Sequence, residues 1–144
     1  MIDEKGKQFV DTNILVYAHD TSAGEKHKKA KELIANLWNS REGCLSIQVL
    51  QELYVTLVKK VATPLQPNTA AAVINDLGQW SIHIPGVEDI LEAIKIQQQY
   101  NLSFWDAMIV RSAGQMNCDI LWSEDLNMGQ VYEGAKVVNP FASP

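Results

Sequence analysis

Four carboxylates occupy positions in the sequence where a protein can use them for chemistry. Asp11 and Asp125 each follow a short apolar stretch typical of a buried strand, and Asp106 opens an otherwise apolar helix. Glu52 lies about a turn and a half into a helix that follows the second strand. Parallel strands end at one edge of a sheet, and ligands bind at that edge in open α/β folds. We therefore predict that these four residues, the acidic cluster, converge there.

An acidic cluster needs positive compensation, because carboxylates that are close together and partly desolvated destabilise one another. The sequence offers few basic residues to compensate these positions, with Arg111 and Lys59 as the candidates. A hard divalent cation such as Mg²⁺ or Mn²⁺, which prefers oxygen ligands, supplies the missing charge. Such ions activate water and hold a phosphate, so the cluster predicts metal-assisted hydrolysis of a phosphodiester bond.

Each carboxylate also has a purely structural interpretation, and the residues alone leave both open. Asp11 can cap the helix that follows it, and Asp106, three residues after Ser103, can be the acidic half of a capping box. Asp125 can cap a turn. Glu52 lies opposite the apolar stripe of its helix, where periodicity alone predicts a solvated surface residue.

Short apolar strands alternate with amphipathic helices along the chain. Helices are predicted to begin near Ser22 and Glu25, which have capping-box spacing, and at Asn68 as an N-cap. The last strand, starting at Ala135, is predicted to be an edge strand stopped by Pro140. This alternation predicts an α/β fold, with one domain over residues 1–144 and a short central parallel sheet of four to five strands flanked by helices.

Composition narrows the class of protein. Hydrophobic residues make up 47% of the chain and charged residues 20%, no apolar run reaches the length of a membrane span, and the polar N-terminus is unlike a signal peptide. We therefore expect a cytoplasmic protein with no membrane contact, in which Cys44 and Cys118 are buried reduced thiols. The net charge of −5 argues against binding of nucleic acid through a strong general basic field, but it does not exclude a nuclease.

Several other chemistries lack their motifs. No glycine-rich phosphate loop with a lysine is present, which argues against an NTPase. His19, His27 and His83 lie in polar or loop contexts, without a paired nucleophile or metal-binding spacing. A phosphatase that forms an aspartyl phosphate requires Asp-x-Asp, whereas Asn13 stands at the second position, and the acidic and lysine residues of a phospho-receiver are not found.

The motifs resemble those of PIN-domain ribonucleases, and most closely of VapC-type toxins from toxin–antitoxin pairs. The resemblance spans about residues 9–141. It rests on Val10-Asp11-Thr12-Asn13, on the helical Glu52 after Leu45-Ser46, on Ser103-Phe104-Trp105-Asp106-Ala107, on Ser123-Glu124-Asp125, and on the closing Val138-Asn139-Pro140-Phe141. One such motif is a weak signal, but four in this order are specific.

The resemblance implies a single PIN-like domain and a metal-dependent endoribonuclease that acts as a toxin. It implies RNA as substrate, Mg²⁺ or Mn²⁺ as cofactor, and a cognate antitoxin and a second copy of the chain as partners. Asp11 and Asp106 would be the principal metal ligands, with Glu52 and Asp125 completing the site. Glu52 would then face the active-site cleft, unlike the surface position that periodicity predicts.

Three polar neighbours would orient the carboxylates or water, namely Thr12, Asn13 and Ser123. Glu124, beside Asp125, is a second candidate for the inward-facing acid, and the spacing from Ser123 favours Asp125. The alternative function is a catalytically inactive PIN-like module that binds RNA or another protein.

Overall fold

A six-stranded sheet lies at the centre of residues 6–142, the part of the chain that the computed structural model describes. The strands are β1 (Gln8–Val10), β2 (Gly43–Ser46), β3 (Ser81–His83), β4 (Ile120–Trp122), β5 (Val131–Tyr132) and β6 (Ala135–Val138). Their order across the sheet is β3-β2-β1-β4-β6-β5, and all pairings are parallel except that of β5 with β6. The predicted α/β fold with a central parallel sheet is confirmed.

The far edge of the sheet differs from the prediction of four to five parallel strands. β6 is not an edge strand, because it pairs with β4 on one side and with the antiparallel β5 on the other. The two strands are joined through Glu133 and Gly134, whose φ angles of 49° and 90° fit a tight two-residue hairpin. The sequence pattern does not predict β5, since two residues are too few to show alternation.

The helices in this part of the chain are α1 (Thr12–Ala18), α2 (Glu25–Ser40), α3 (Ile47–Lys59), α4 (Pro67–Leu77), α5 (Val87–Tyr100) and α6 (Phe104–Gln115). Helices α2 and α4 are present where the sequence predicts them, but the predicted N-caps, Ser22 and Asn68, are wrong. Gly24 is the N-cap of α2, while the Ser22 N–H donates to Asp20 Oδ1 at 3.1 Å in a preceding 3₁₀ turn. Helix α4 begins after Gln66 with proline in its first turn, a position that suits the fixed φ of proline, so Asn68 is not the cap.

The central strands are mostly apolar because they lie in the core. Every residue of β1, β2 and β4 is buried, as expected for parallel strands covered by helices on both faces. Helix α6 buries six of its twelve residues, all between Ala107 and Ala113, as its nearly all-apolar sequence predicts. Cys44 and Cys118 are buried free thiols, which confirms that prediction. None of the helices within residues 6–142 has the length and apolarity needed to cross a membrane.

A polar contact centred on Asp89 joins α5 to α6. Asp89 Oδ1 accepts a hydrogen bond from Arg111 Nε at 2.8 Å, and its Oδ2 accepts the Gly86 N–H at 2.8 Å. His83 lies 3.4 Å from the same carboxylate and 2.9 Å from Ser112 Oγ, so it is a satisfied histidine, as predicted. Burial raises the pKa of Asp89, but the Gly86 N–H and Arg111 outweigh this effect and hold it below its usual value.

Candidate active site

Asp11 directly follows β1 and is 8% exposed. As N-cap of α1 it accepts the Thr12 N–H through Oδ1 at 2.8 Å, and its Oδ2 accepts the Ser123 hydroxyl at 3.0 Å. Burial raises the pKa of Asp11 from an ordinary 3.8 to about 6; the two hydrogen bonds oppose the rise, and the charges of Asp106 and Asp125 add to it. The capping interpretation is therefore correct, but the cap leaves an electrostatic cost uncompensated.

Glu52 projects from α3 towards the start of α1. The Thr12 hydroxyl donates to Glu52 Oε1 at 2.9 Å, and Gln48 Nε2 lies 3.5 Å from the same oxygen. Gln48 Nε2 also donates to the main-chain oxygen of Trp105 at 3.2 Å, which links α3 to the first turn of α6. Periodicity correctly predicts that Glu52 is exposed, and the surface that it faces is the cleft described below.

Asp106 occupies the first turn of α6, where its N–H donates to Ser103 Oγ at 3.1 Å. Ser103 is therefore the N-cap, as its spacing predicts. Within residues 6–142 the carboxylate of Asp106 forms no hydrogen bond or ion pair, whereas its charge contributes to raising the pKa values of Asp11 and Asp125. This carboxylate is thus close to the other acids and available for a ligand.

Asp125 follows β4 and also faces the cleft. Asn13 Nδ2 donates to Asp125 Oδ2 at 2.6 Å, and Ser123 Oγ accepts the Asp125 N–H at 3.3 Å. Burial, followed by the charges of Glu124 and Asp106, raises the pKa of Asp125. Each polar neighbour predicted to orient the cluster does contact one of its carboxylates.

Glu124 points away from the cleft, which resolves the choice between the two adjacent acids. Its Oε1 accepts the Tyr17 hydroxyl at 2.9 Å, and its other oxygen pairs with Lys26 Nζ. The Lys26 ammonium also lies over the rings of Tyr17, at 5.0 Å, and Phe141, at 5.5 Å. These contacts hold the loop so that Asp125 is the acid lining the cleft.

The four carboxylates line a single cleft of about 240 Å³, together with polar residues of α1 and α3. Two lining residues that the sequence reasoning does not identify are Lys60 and Trp105. Lys60 has a signal in the sequence, since Gln48, Glu52, Thr56 and Lys60 recur at intervals of four along one face of α3. Trp105 has a weaker one, its position next to Asp106.

Within residues 6–142, no three His, Cys, Asp or Glu side chains are grouped so that they could share one metal ion. This does not disqualify the cleft, since Mg²⁺ commonly keeps several waters and takes only one or two protein carboxylates. The available donors are carboxylate, hydroxyl and amide oxygens, which suit a hard cation. The raised pKa of Asp11 marks the charge that a cation would compensate. The residues therefore fit a hydrated Mg²⁺ or Mn²⁺.

Comparison with known proteins agrees with the fold. The family model of the PIN domain matches residues 9–134. No curated protein sequence matches the chain significantly. Among solved structures, a toxin–antitoxin complex from Klebsiella pneumoniae is similar with a TM-score of 0.71 and 19% identity, over 94% of this chain and 98% of that one.

Two further solved structures are similar over most of the chain. The VapC20 toxin of Mycobacterium tuberculosis, which cleaves the sarcin–ricin loop, has a TM-score of 0.65 and 20% identity, over 83% of this chain and 90% of that one. DNA-bound VapBC from Salmonella typhimurium has a TM-score of 0.66 and 17% identity, over 94% and 99%. At these identities the likeness shows a shared fold.

Proposed function

Because the chain belongs to the PIN-domain family, we propose that it is a metal-dependent endoribonuclease that acts as the toxin of a toxin–antitoxin pair. The family resemblance seen in the four motifs is confirmed by that match. The observation that carries the proposal is the convergence of the acidic cluster on one cleft. Support for RNA as the substrate comes from the similarity to a toxin that cleaves an RNA loop.

In this proposal Asp11 and Asp106 are the principal metal ligands, and Glu52 and Asp125 complete the site. A bound divalent cation supplies Lewis acidity, which lowers the pKa of water and neutralises charge on the phosphate. The chain contributes orientation, because side-chain donors hold three of the four carboxylates in place: Ser123 on Asp11, Asn13 on Asp125 and Thr12 on Glu52.

Hydrolysis forms a bond from the water oxygen to phosphorus and breaks the bond from phosphorus to a ribose oxygen. The attacking water must lose a proton, and the departing oxygen must gain one. Asp125 is suited to accept the first proton, because its carboxylate lines the cleft. The buried Asp11 remains ionised at neutral pH, since its pKa is about 6.

The test is metal-dependent cleavage of cellular RNA by purified Asp11→Asn and Asp106→Asn variants. We expect each to lose at least about 100-fold in rate while circular dichroism shows a folded chain. Asp76→Asn, an exposed carboxylate on α4, is the matched control and is expected to cleave normally. Full activity in either site variant would refute the assignment.

A non-catalytic module that binds RNA or a protein is the second candidate, and the lack of a three-carboxylate metal site within residues 6–142 favours it. Calorimetric titration with Mg²⁺ and Mn²⁺ separates the two. Heat that is present in the wild type and lost in Asp11→Asn supports the nuclease, whereas RNA binding without metal binding or cleavage supports the module.

We propose two protein partners, a cognate antitoxin and a second copy of the chain. We also propose that the protein acts in the cytoplasm, where its RNA substrate would be available. A cognate antitoxin is supported by the similarity to toxin–antitoxin complexes. A second copy of the chain is supported by an apolar stripe on α5, where Val87, Leu91 and Ile94 are 73%, 56% and 39% exposed. Leu91→Glu is expected to shift a dimer towards monomer in light scattering, with Lys95→Gln as control. A monomeric wild type would exclude self-association.

A further inference from the structure

One wall of the cleft carries a large aromatic side chain that the proposed chemistry does not use. Trp105, the second residue of α6, is 61% exposed and lines the cleft beside Asp106. Its ring meets Phe104 edge-on, with centroids 5.1 Å apart and an interplanar angle of 74°. Its main-chain oxygen accepts Gln48 Nε2 at 3.2 Å. The backbone is thus anchored while the indole faces solvent at the cleft.

A cation lines the same cleft. Lys60 follows the last residue of α3, is exposed, and is the one Lys or Arg among the described residues that line the cleft. No ion pair within residues 6–142 involves Lys60, whereas Lys26, Lys28, Lys95 and Arg111 are each paired with a carboxylate. The charge of Lys60 is therefore available to a ligand, although four carboxylates share the cleft with it.

The charge balance decides which interaction can hold RNA in this cleft. The chain has a net charge of −5, so it lacks the general basic field that gives most nucleic-acid-binding proteins their affinity. One lysine beside four carboxylates cannot supply that field. Stacking of a base on an aromatic ring depends little on net charge and tolerates any base. The exposed indole of Trp105 can therefore supply affinity that electrostatics does not.

We propose that Trp105 stacks against an unpaired base of the substrate while Lys60 contacts a phosphate. This inference rests on the proposed nuclease function. Bases in a duplex are already stacked on one another and do not offer a free face to a protein side chain, whereas bases in loops and single strands do. Trp105 is then a specificity residue for substrate structure and not for sequence.

The direct test is binding of a fluorescent mixed-sequence single-stranded RNA of about ten nucleotides to the full chain in EDTA. Trp105→Ala is expected to bind about 5- to 150-fold more weakly, and Trp105→Phe to retain part of the affinity. Trp38→Ala is the control, since Trp38 is 40% exposed on α2 and does not line the cleft. Melting curves of every variant establish that it is folded.

A second probe separates stacking from charge. An abasic ribose-phosphate oligomer of the same length has phosphates but no bases. We expect Trp105→Ala to bind it like the wild type, whereas Lys60→Gln binds both probes more weakly. A duplex of the same sequence is expected to bind the wild type and Trp105→Ala equally weakly.

The outcomes distinguish this inference from the proposed function. A wild type that neither binds nor cleaves any RNA overturns both. A wild type that cleaves RNA, with Trp105→Ala binding single strands within about twofold of it, overturns only the stacking role. A Trp105→Ala variant that binds RNA normally but loses capture of a protein partner assigns the indole to a protein interface and also overturns the inference.

Discussion

Replacing Asp11 by asparagine is expected to stabilise the metal-free chain at neutral pH although it abolishes the proposed activity. Asp11 is buried, and its neighbours in the cleft include two further carboxylates that raise its pKa. Asparagine removes the charge and keeps nearly the same shape. Its side-chain oxygen can still accept the Thr12 N–H, but its amide nitrogen cannot accept the Ser123 hydroxyl that Asp11 Oδ2 accepts. The substitution therefore removes an electrostatic cost but also loses the hydrogen bond from Ser123, which offsets part of the gain.

The magnitude follows from the pKa of Asp11 in the two states. The carboxyl titrates near 3.8 in the unfolded chain and at about 6 in the folded one. As the pH rises through this interval the unfolded chain loses its proton first, so ionisation favours unfolding and the stability falls. Above about pH 6 the loss of folding stability that ionised Asp11 causes no longer changes with pH. At about 1.36 kcal/mol for each pH unit it amounts to about 3 kcal/mol.

Urea unfolding in EDTA measures this effect. We expect Asp11→Asn to be about 1–3 kcal/mol more stable than the wild type at about pH 7.5. The advantage should shrink by about 2 kcal/mol at about pH 4.5, where Asp11 is protonated in the folded wild type. Asp76→Asn is expected to show neither change. An Asp11→Asn variant with no gain at neutral pH, or with a gain independent of pH, would contradict the reasoning.

Two further predictions concern contacts outside the cleft. Lys26→Met removes the ion pair of Glu124. We expect the loop that carries Asp125 to become less fixed and the rate of RNA cleavage in steady-state assays to fall by up to about tenfold. Unchanged activity would count against the role of this contact. Arg111→Met leaves the Asp89 carboxylate without the guanidinium that pairs with it. Urea unfolding should show a loss of about 2–3 kcal/mol at neutral pH. The lowered pKa of Asp89 stabilises the folded state above the pKa of the unfolded chain, and this stabilisation is lost as the pH falls. The difference in unfolding free energy between the wild type and Arg111→Met should therefore become smaller in acid. A difference that does not change with pH would argue against the ion pair.

The elements that the sequence predicts well are those with a long or uniform pattern. The apolar stripe of α2 and the nearly all-apolar α6 are where periodicity predicts them. Helix starts are harder, because several polar residues compete for the same backbone groups. Asp20 accepts the N–H of Ser22, so the Ser22–Glu25 spacing does not become a capping box. The hairpin strand β5 leaves no pattern, since its position depends on pairing with β6.

The residues of the site also differ in how well the sequence predicts them. Asp11, Asp106 and Asp125 are identified by their positions after strands and at a helix start, which are local features of the sequence. Glu52 is placed in the cluster by its position after the second strand and by the family resemblance, because helical periodicity distinguishes a buried side chain from an exposed one but cannot tell bulk solvent from a cleft. Trp105 cannot be identified from the sequence for the same reason. It lines the site only because α3 packs beside α6.

The hydrogen bonds within the cleft explain how the acidic cluster is tolerated without a set of paired cations. Donors from α1 and from the residue after β4 hold three of the four carboxylates, while the carboxylate of Asp106 has no donor within residues 6–142. Asp106 is therefore the acid most able to adjust towards an arriving cation. Binding would also relieve the cost stored at Asp11. Since a ligand that binds only the folded state stabilises it, metal affinity and folding stability should rise together in this chain.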